Sequence, residues 1–177
     1  MTLTVSWEHY NRLVERLALA VYDSGWKFNQ IICIARGGLR VGDVLSRIYE
    51  VPLAILSTHS YTAEGGTVRG QLVIAEHMTM TAPRLGDRVL LVDDMVDSGH
   101  TLEAVFKTLP QRFTHIAAIR TAVLWYKGHS VFKPDYYVDH LAENPWIYQP
   151  FEVYDTLRPD GLKSRLANDA APSAGSV

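Results

Sequence analysis

The chain has a single cysteine in 177 residues, which excludes an intrachain disulfide framework and fits a reducing, cytoplasmic compartment. Excess basic charge is also missing. With 17 Lys and Arg against 19 Asp and Glu, the net charge is −2, so no global positive field recruits nucleic acid. No apolar run reaches transmembrane length, and the first residues lack the basic stretch and hydrophobic core of a secretory signal. The histidines, at positions 9, 59, 77, 100, 115, 129 and 140, show none of the short paired spacings of a zinc motif. There is no internal repeat and no interior Gly/Ser linker. These absences predict one soluble domain over residues 1–166 with no nucleic-acid partner and no membrane span. The small, polar, aperiodic stretch 167–177 reads as a disordered tail.

What is present is an alternation of apolar runs and helical patterns. Tyr10, Leu13, Val14, Leu17, Ala20 and Val21 recur at helical spacing, with Ser6 placed to cap that helix and Gly25 to end it. Strands are predicted at 30–35, 51–57, 71–76 and 88–92, one or two more over 115–126, and a last at 135–139. Helices fit between them at 39–49 and 101–109, with Pro110 as the stop. The expected class is α/β, a mostly parallel sheet flanked by helices that binds ligands beyond the carboxyl ends of its strands. Cys33 sits inside the run Ile31-Ile32-Cys33-Ile34, the place of a buried structural thiol.

The most informative stretch is Leu90-Leu91-Val92-Asp93-Asp94-Met95-Val96-Asp97-Ser98-Gly99-His100-Thr101-Leu102. A strand with no polar break, buried on both faces, ends in acids and passes through a Ser-Gly turn into a helix. Ser98 to Thr101 therefore fall where the first helical N–H groups lack intrahelical acceptors and the dipole is positive, a natural seat for phosphate. Gly99 permits close backbone approach, and the Ser98 and Thr101 hydroxyls add donors. Asp93 and Asp94 would repel the same phosphate. They suit a sugar diol, whose hydroxyls donate to both carboxylates, and they would stabilise positive charge developing on the ring. One aspartate alone would read better as a helix cap or turn former, and three acids followed by Ser-Gly-x-Thr favour the ligand site. Ala35-Arg36-Gly37-Gly38-Leu39 forms a second strand-to-helix turn at the same sheet edge, and two such turns can hold two ends of one polyanion.

The segment from Val92 to Thr101 resembles the phosphoribosyl-pyrophosphate (PRPP) signature of the type I phosphoribosyltransferases, with Ser98 where threonine is more usual. The resemblance implies that family's fold, with a small C-terminal hood over the base. It also implies that Asp93 and Asp94 hold the ribose hydroxyls, that Asp97 to Thr101, including His100, cradle the 5′-phosphate, and that Arg36, Gly37 and Gly38 contact pyrophosphate. An aspartate at the position of Asp97 is the mark of the branch acting on 6-oxopurines, where it stands near purine nitrogen 7 as a candidate general base or acid. Within that branch the chain is most similar to the xanthine-guanine and hypoxanthine enzymes. Lys127 at a strand end is then implied to meet the exocyclic oxygen of the purine, with Trp146 and Ile147 bracketing the ring. Taken alone, Lys127 reads as solvated and Trp146 equally as a core or interface residue.

The long polar stretch 58–70 corresponds in position to the family's mobile flap, with Ser60 and Tyr61 as its Ser-Tyr pair and Arg69 within reach of pyrophosphate. The implied cofactor is Mg2+, held mainly through PRPP with Asp93 and Asp94 nearby. A homo-oligomer, dimer or tetramer, follows by family analogy. The implied activity is transfer of the 5-phosphoribosyl group from PRPP to guanine, xanthine or hypoxanthine in purine salvage. Two rivals remain: transfer to another base, and a PRPP-binding regulator. A regulator of transcription would need a DNA-binding surface, for which Arg158, Lys163 and Arg165 offer only a small cluster.

Overall fold

The computed structural model describes residues 2–60 and 72–169. In chain order the elements are β1 (Thr2–Thr4), α1 (Trp7–Asp23), β2 (Gln30–Ala35), α2 (Gly38–Tyr49), β3 (Leu53–Ser60), β4 (Leu72–Ile74), β5 (Thr79–Met80), β6 (Arg88–Val92), β7 (Met95–Val96), α3 (His100–Arg112), β8 (Ala118–Lys127), β9 (Tyr136–Leu141), β10 (Trp146–Tyr148), α4 (Val153–Thr156) and α5 (Pro159–Asp169). They fall into two compact units, Asn11–Asn144 and, separately, Met1–Tyr10 with Pro145–Val177.

The larger unit is built on the unbroken aliphatic runs. β3, β2, β6, β8 and β9 lie side by side, each parallel to its neighbour, and the short β4 and β5 add antiparallel pairs on β3. Successive residues of β2 and β6 are buried alike, because helices cover both faces of the sheet. On one face Ile32, Leu91 and Val123 pack with Leu102, Val105 and Leu109 of α3. On the other, Cys33 meets α2, where Gly42 is closely apposed to it. The Tyr49 hydroxyl of α2 donates to the Ala18 carbonyl of α1, tying those two helices together. Each such aliphatic side chain contributes about 1.5–3 kcal/mol on leaving water. Burial pushes the Cys33 thiol up to about 12, so it is an inert packing group, as its position in the run predicted.

Several boundaries differ from expectation. α3 runs through Pro110 to Arg112, because a proline in the last turn sacrifices one backbone bond while the Phe113 N–H still donates to the Leu109 carbonyl. The stretch 115–126 gives one strand, β8, which starts at Ala118. β3 begins two residues later and ends three later than predicted, and β4 is confined to Leu72–Ile74.

The smaller unit pairs β1 in parallel with β10, Leu3 opposite Ile147. Ser6 caps α1 as expected, its hydroxyl accepting the His9 N–H at 3.1 Å. Trp7 and Tyr10 contact Phe151 edge-on or tilted. Residues 167–169 belong to α5, so the expected tail does not begin at 167, and 170–177 lie outside the described residues. Among the described residues no helix is long and apolar enough to cross a membrane.

Candidate active site

The chain leaves β2 through α2 to β3 on one side and leaves β6 through α3 to β8 on the other, so the strand order reverses between β2 and β6. Loops diverge at such a reversal and leave a crevice at the carboxyl ends of the strands. The two turns singled out from the sequence flank it. A Cβ at Gly37 would lie 2.5 Å from Asp94 Oδ1, and one at Gly38 would lie 2.6 Å from the Val92 carbonyl oxygen. The missing side chains are what let the glycine turn close against the acidic loop. The Ala35–Arg36 peptide is cis, and Arg36 is exposed.

Beyond Val92 the ladder to β8 pauses and then resumes in the same register: Val92 stands opposite Ala122, and Met95 opposite Trp125. Across the pause the Asp93 N–H donates to the Ala122 carbonyl and the Leu124 N–H to that of Asp94. The Asp94 N–H donates to Asp93 Oδ1 at 2.9 Å, and the Met95 N–H to Asp94 Oδ1 at 2.7 Å, so both carboxylates are held by backbone. Burial first, and then the adjacent Asp94 carboxylate, raise Asp93 well above the usual carboxylate range. Two adjacent carboxylates offer acceptors only, so they fit the hydroxyls of a ribose diol as donors and the oxygen-ligand preference of Mg2+.

Next comes an open cleft of about 150 Å3, lined by Asp93, Met95, Val96, Asp97, Ser98, Gly99, Thr101 and Leu102. Gly99 precedes α3 with φ of +87°, and no side chain caps that helix. The turn is pinned from below: the Val131 N–H donates to the Ser98 carbonyl at 3.0 Å, and a Cβ on Gly99 would meet Ser130 Oγ and the Phe132 nitrogen. Ser98, Thr101 and the first turn of a 13-residue helix thus face an anion-sized space. His100, the first residue of α3, is exposed.

The short β7 was invisible in the sequence. Val96 pairs with Tyr126, and one step further on each strand brings Asp97 and Lys127 together, Nζ 3.3 Å from Oδ1. Lys127 is only 5 % exposed, which overturns the solvated reading of that lysine. His129 Nε2 lies 2.9 Å from the same oxygen, a contact that no spacing in the sequence indicated. The Asp97 side chain remains 56 % exposed in the cleft.

The remaining expected residues are less informative. Ser60 ends β3, and Tyr61 and Arg69 lie outside the described residues. Trp146 and Ile147 belong to the smaller unit, where Trp146 is 65 % exposed and Ile147 is buried on the opposite face of β10. Among the described residues no three His, Cys, Asp or Glu side chains gather into a preformed metal cage.

Comparison with known proteins agrees with this geometry. Residues 6–156 match the family model described as the phosphoribosyl transferase domain. A xanthine-guanine phosphoribosyltransferase of Gluconobacter oxydans is 30% identical over 162 residues, covering 91% of this chain and 90% of the relative. Among solved structures, the xanthine-guanine-hypoxanthine phosphoribosyltransferase of Helicobacter pylori is 25% identical with a TM-score of 0.75, over 93% of this chain and 99% of that one. The purine phosphoribosyltransferase of Pyrococcus horikoshii is 28% identical with a TM-score of 0.69, over 85% of this chain and 93% of that one. With its acidic strand end, glycine turn and phosphate-sized helix mouth meeting at one crevice, the chain belongs to the phosphoribosyltransferase family.

Proposed function

We propose that the protein transfers the 5-phosphoribosyl group of PRPP to a 6-oxopurine, guanine, xanthine or hypoxanthine, releasing pyrophosphate and a nucleoside 5′-monophosphate in purine salvage. The observation that carries the base class is the buried Lys127 beside Asp97 at the cleft. A lysine is a donor only, and it suits the carbonyl oxygen of an oxopurine, whereas the amino group of adenine is itself a donor. The names of the relatives point the same way.

In this reading the loop from Ser98 to Thr101 anchors the 5′-phosphate, and its binding energy goes into position, not bond-making. Asp93 and Asp94 accept from the ribose hydroxyls and stabilise the cationic sugar as the bond to pyrophosphate breaks. Arg36 with the glycine turn receives the leaving pyrophosphate. Asp97 takes the proton that the purine loses as the new carbon–nitrogen bond forms. By the resemblance, Trp146 would stack on the base. Mg2+, bound chiefly by PRPP and adjoining Asp93 and Asp94, would neutralise phosphate charge. The protein acts in the cytoplasm as a homo-oligomer of two or four copies, a stoichiometry that sedimentation velocity reads directly.

The test is pyrophosphate release from PRPP and Mg2+ with guanine, xanthine, hypoxanthine, adenine, uracil or no base. Release with oxopurines alone is expected. Release with adenine or uracil instead would move the protein to another branch, and PRPP binding without release by any base would make it a sensor.

A further inference from the structure

Asp97 Oδ1 has two cationic or donor partners, and one of them has a second task. If Lys127 is to meet the oxopurine oxygen, its ammonium must share or give up the 3.3 Å contact with Asp97. A carboxylate left without a partner would rotate or draw in water, and its accepting oxygen would lose its aim at the base. His129 stands where it prevents this, with Nε2 2.9 Å from the same Oδ1. Because the acceptor is a carboxylate oxygen, Nε2 carries the hydrogen and donates it.

The backbone around His129 is built to hold that aim. The Gly128 N–H donates to the Leu141 carbonyl at 2.8 Å, and the Ser130 N–H donates to the Lys127 carbonyl at 3.1 Å, closing the turn that carries His129. A Cβ on Gly128 would lie 3.0 Å from the Ala142 carbonyl oxygen, so the turn is pressed against the end of β9. One residue beyond, the Val131 N–H donates to the Ser98 carbonyl, in the loop that also bears Asp97. Donor and acceptor are therefore fixed to one frame at both ends. Lys127 carries three donor hydrogens, so its ammonium can serve both Asp97 and an oxygen of the base.

We propose that His129 is a positioning residue for the phosphoribosyl transfer: its Nε2–H holds Asp97 Oδ1 while Lys127 turns to the purine, leaving Oδ2 directed to take the base proton. The proposal rests on the oxopurine reading above.

The experiment compares the full-length native protein with His129→Ala and His129→Gln, measuring kcat and the KM values for PRPP and for the oxopurine that the native protein uses. Gln can place a side-chain N–H toward Oδ1, and Ala cannot. Because His129 is 44 % exposed, neither variant opens a core cavity, and equal thermal midpoints check that both fold. The expected result is a fall in kcat of about tenfold or more for His129→Ala, corresponding to at least 1.4 kcal/mol of transition-state stabilisation, with KM for PRPP within twofold of native. His129→Gln should recover most of the loss. An unchanged kcat in His129→Ala, a loss that His129→Gln does not restore, or a fall that tracks a rise in KM for PRPP overturns the proposal. The native protein is the control for the underlying reading: if it turns over no oxopurine, that reading fails and the positioning role falls with it, whereas an active native protein with an indifferent His129 sinks only the latter.

Discussion

Asp93 stands beside a second carboxylate, that of Asp94. Burial and the Asp94 carboxylate both disfavour its ionised form, so the folded state holds a proton that the unfolded chain, with an ordinary carboxylate, has already released. Between the ordinary carboxylate range and the raised folded value, the folded state binds more protons, and stability falls as pH rises. The loss is complete above that window and absent below it. Asp93→Asn cannot ionise, yet its side-chain oxygen can still accept the Asp94 N–H. The variant without ligand should therefore be more stable than the native protein at pH 7, with the gap closing as pH falls to the carboxylate range. Denaturant midpoints of both proteins across pH check this, and a gap independent of pH would show that ionisation of Asp93 is not its cause. The same substitution should weaken PRPP binding, since one acceptor for the ribose hydroxyls is lost.

At the scale of the element, the loop from Asp97 to Thr101 depends on a single left-handed residue. Gly99→Ala incurs two separable costs: about 1–2 kcal/mol for placing a side chain at positive φ, and about 1–3 kcal/mol for crowding the Ser130 and Phe132 turn. Gly25 provides the comparison, because it also has positive φ, at +70°, but a Cβ there meets nothing within 4 Å. Gly25→Ala should lose only the first amount and leave KM for PRPP unchanged. Gly99→Ala should lose more stability and raise that KM at least tenfold, as the phosphate seat shifts with the turn. Equal destabilisation of the two variants, read from unfolding midpoints, would remove the crowding argument.

For the whole molecule, the site is assembled from loops that no single element holds, so a ligand spanning them stabilises the folded state by mass action. PRPP with Mg2+ at a hundred times its dissociation constant should contribute about 2.7 kcal/mol. In a chain of this size each kcal/mol raises Tm by roughly 2–4 °C, so a rise of about 5–10 °C is expected. Differential scanning fluorimetry measures it, and an absent shift at saturating PRPP would argue against the crevice as its seat. Among the exposed large apolar side chains, Leu19, Tyr22 and Ile48 lie in the larger unit, and Trp146, Tyr148 and Tyr154 in the smaller.

The local part of this protein was legible in its residues. The aliphatic runs of β2 and β6, the Ser6 cap, the buried Cys33 and the acid-to-helix turn after Val92 are each set by neighbours within a few positions, because backbone conformation and burial pattern are short-range properties. Tertiary structure alone decided how those pieces meet. The two-residue β7 has no periodicity to detect, yet its pairing with β8 carries Asp97 to Lys127 and His129, thirty or more positions away in the chain. The burial of Lys127 follows from that contact and not from its own sequence surroundings. Short strands are selected by the partner they hydrogen-bond to, and a charged side chain is buried only where the fold supplies its counter-charge.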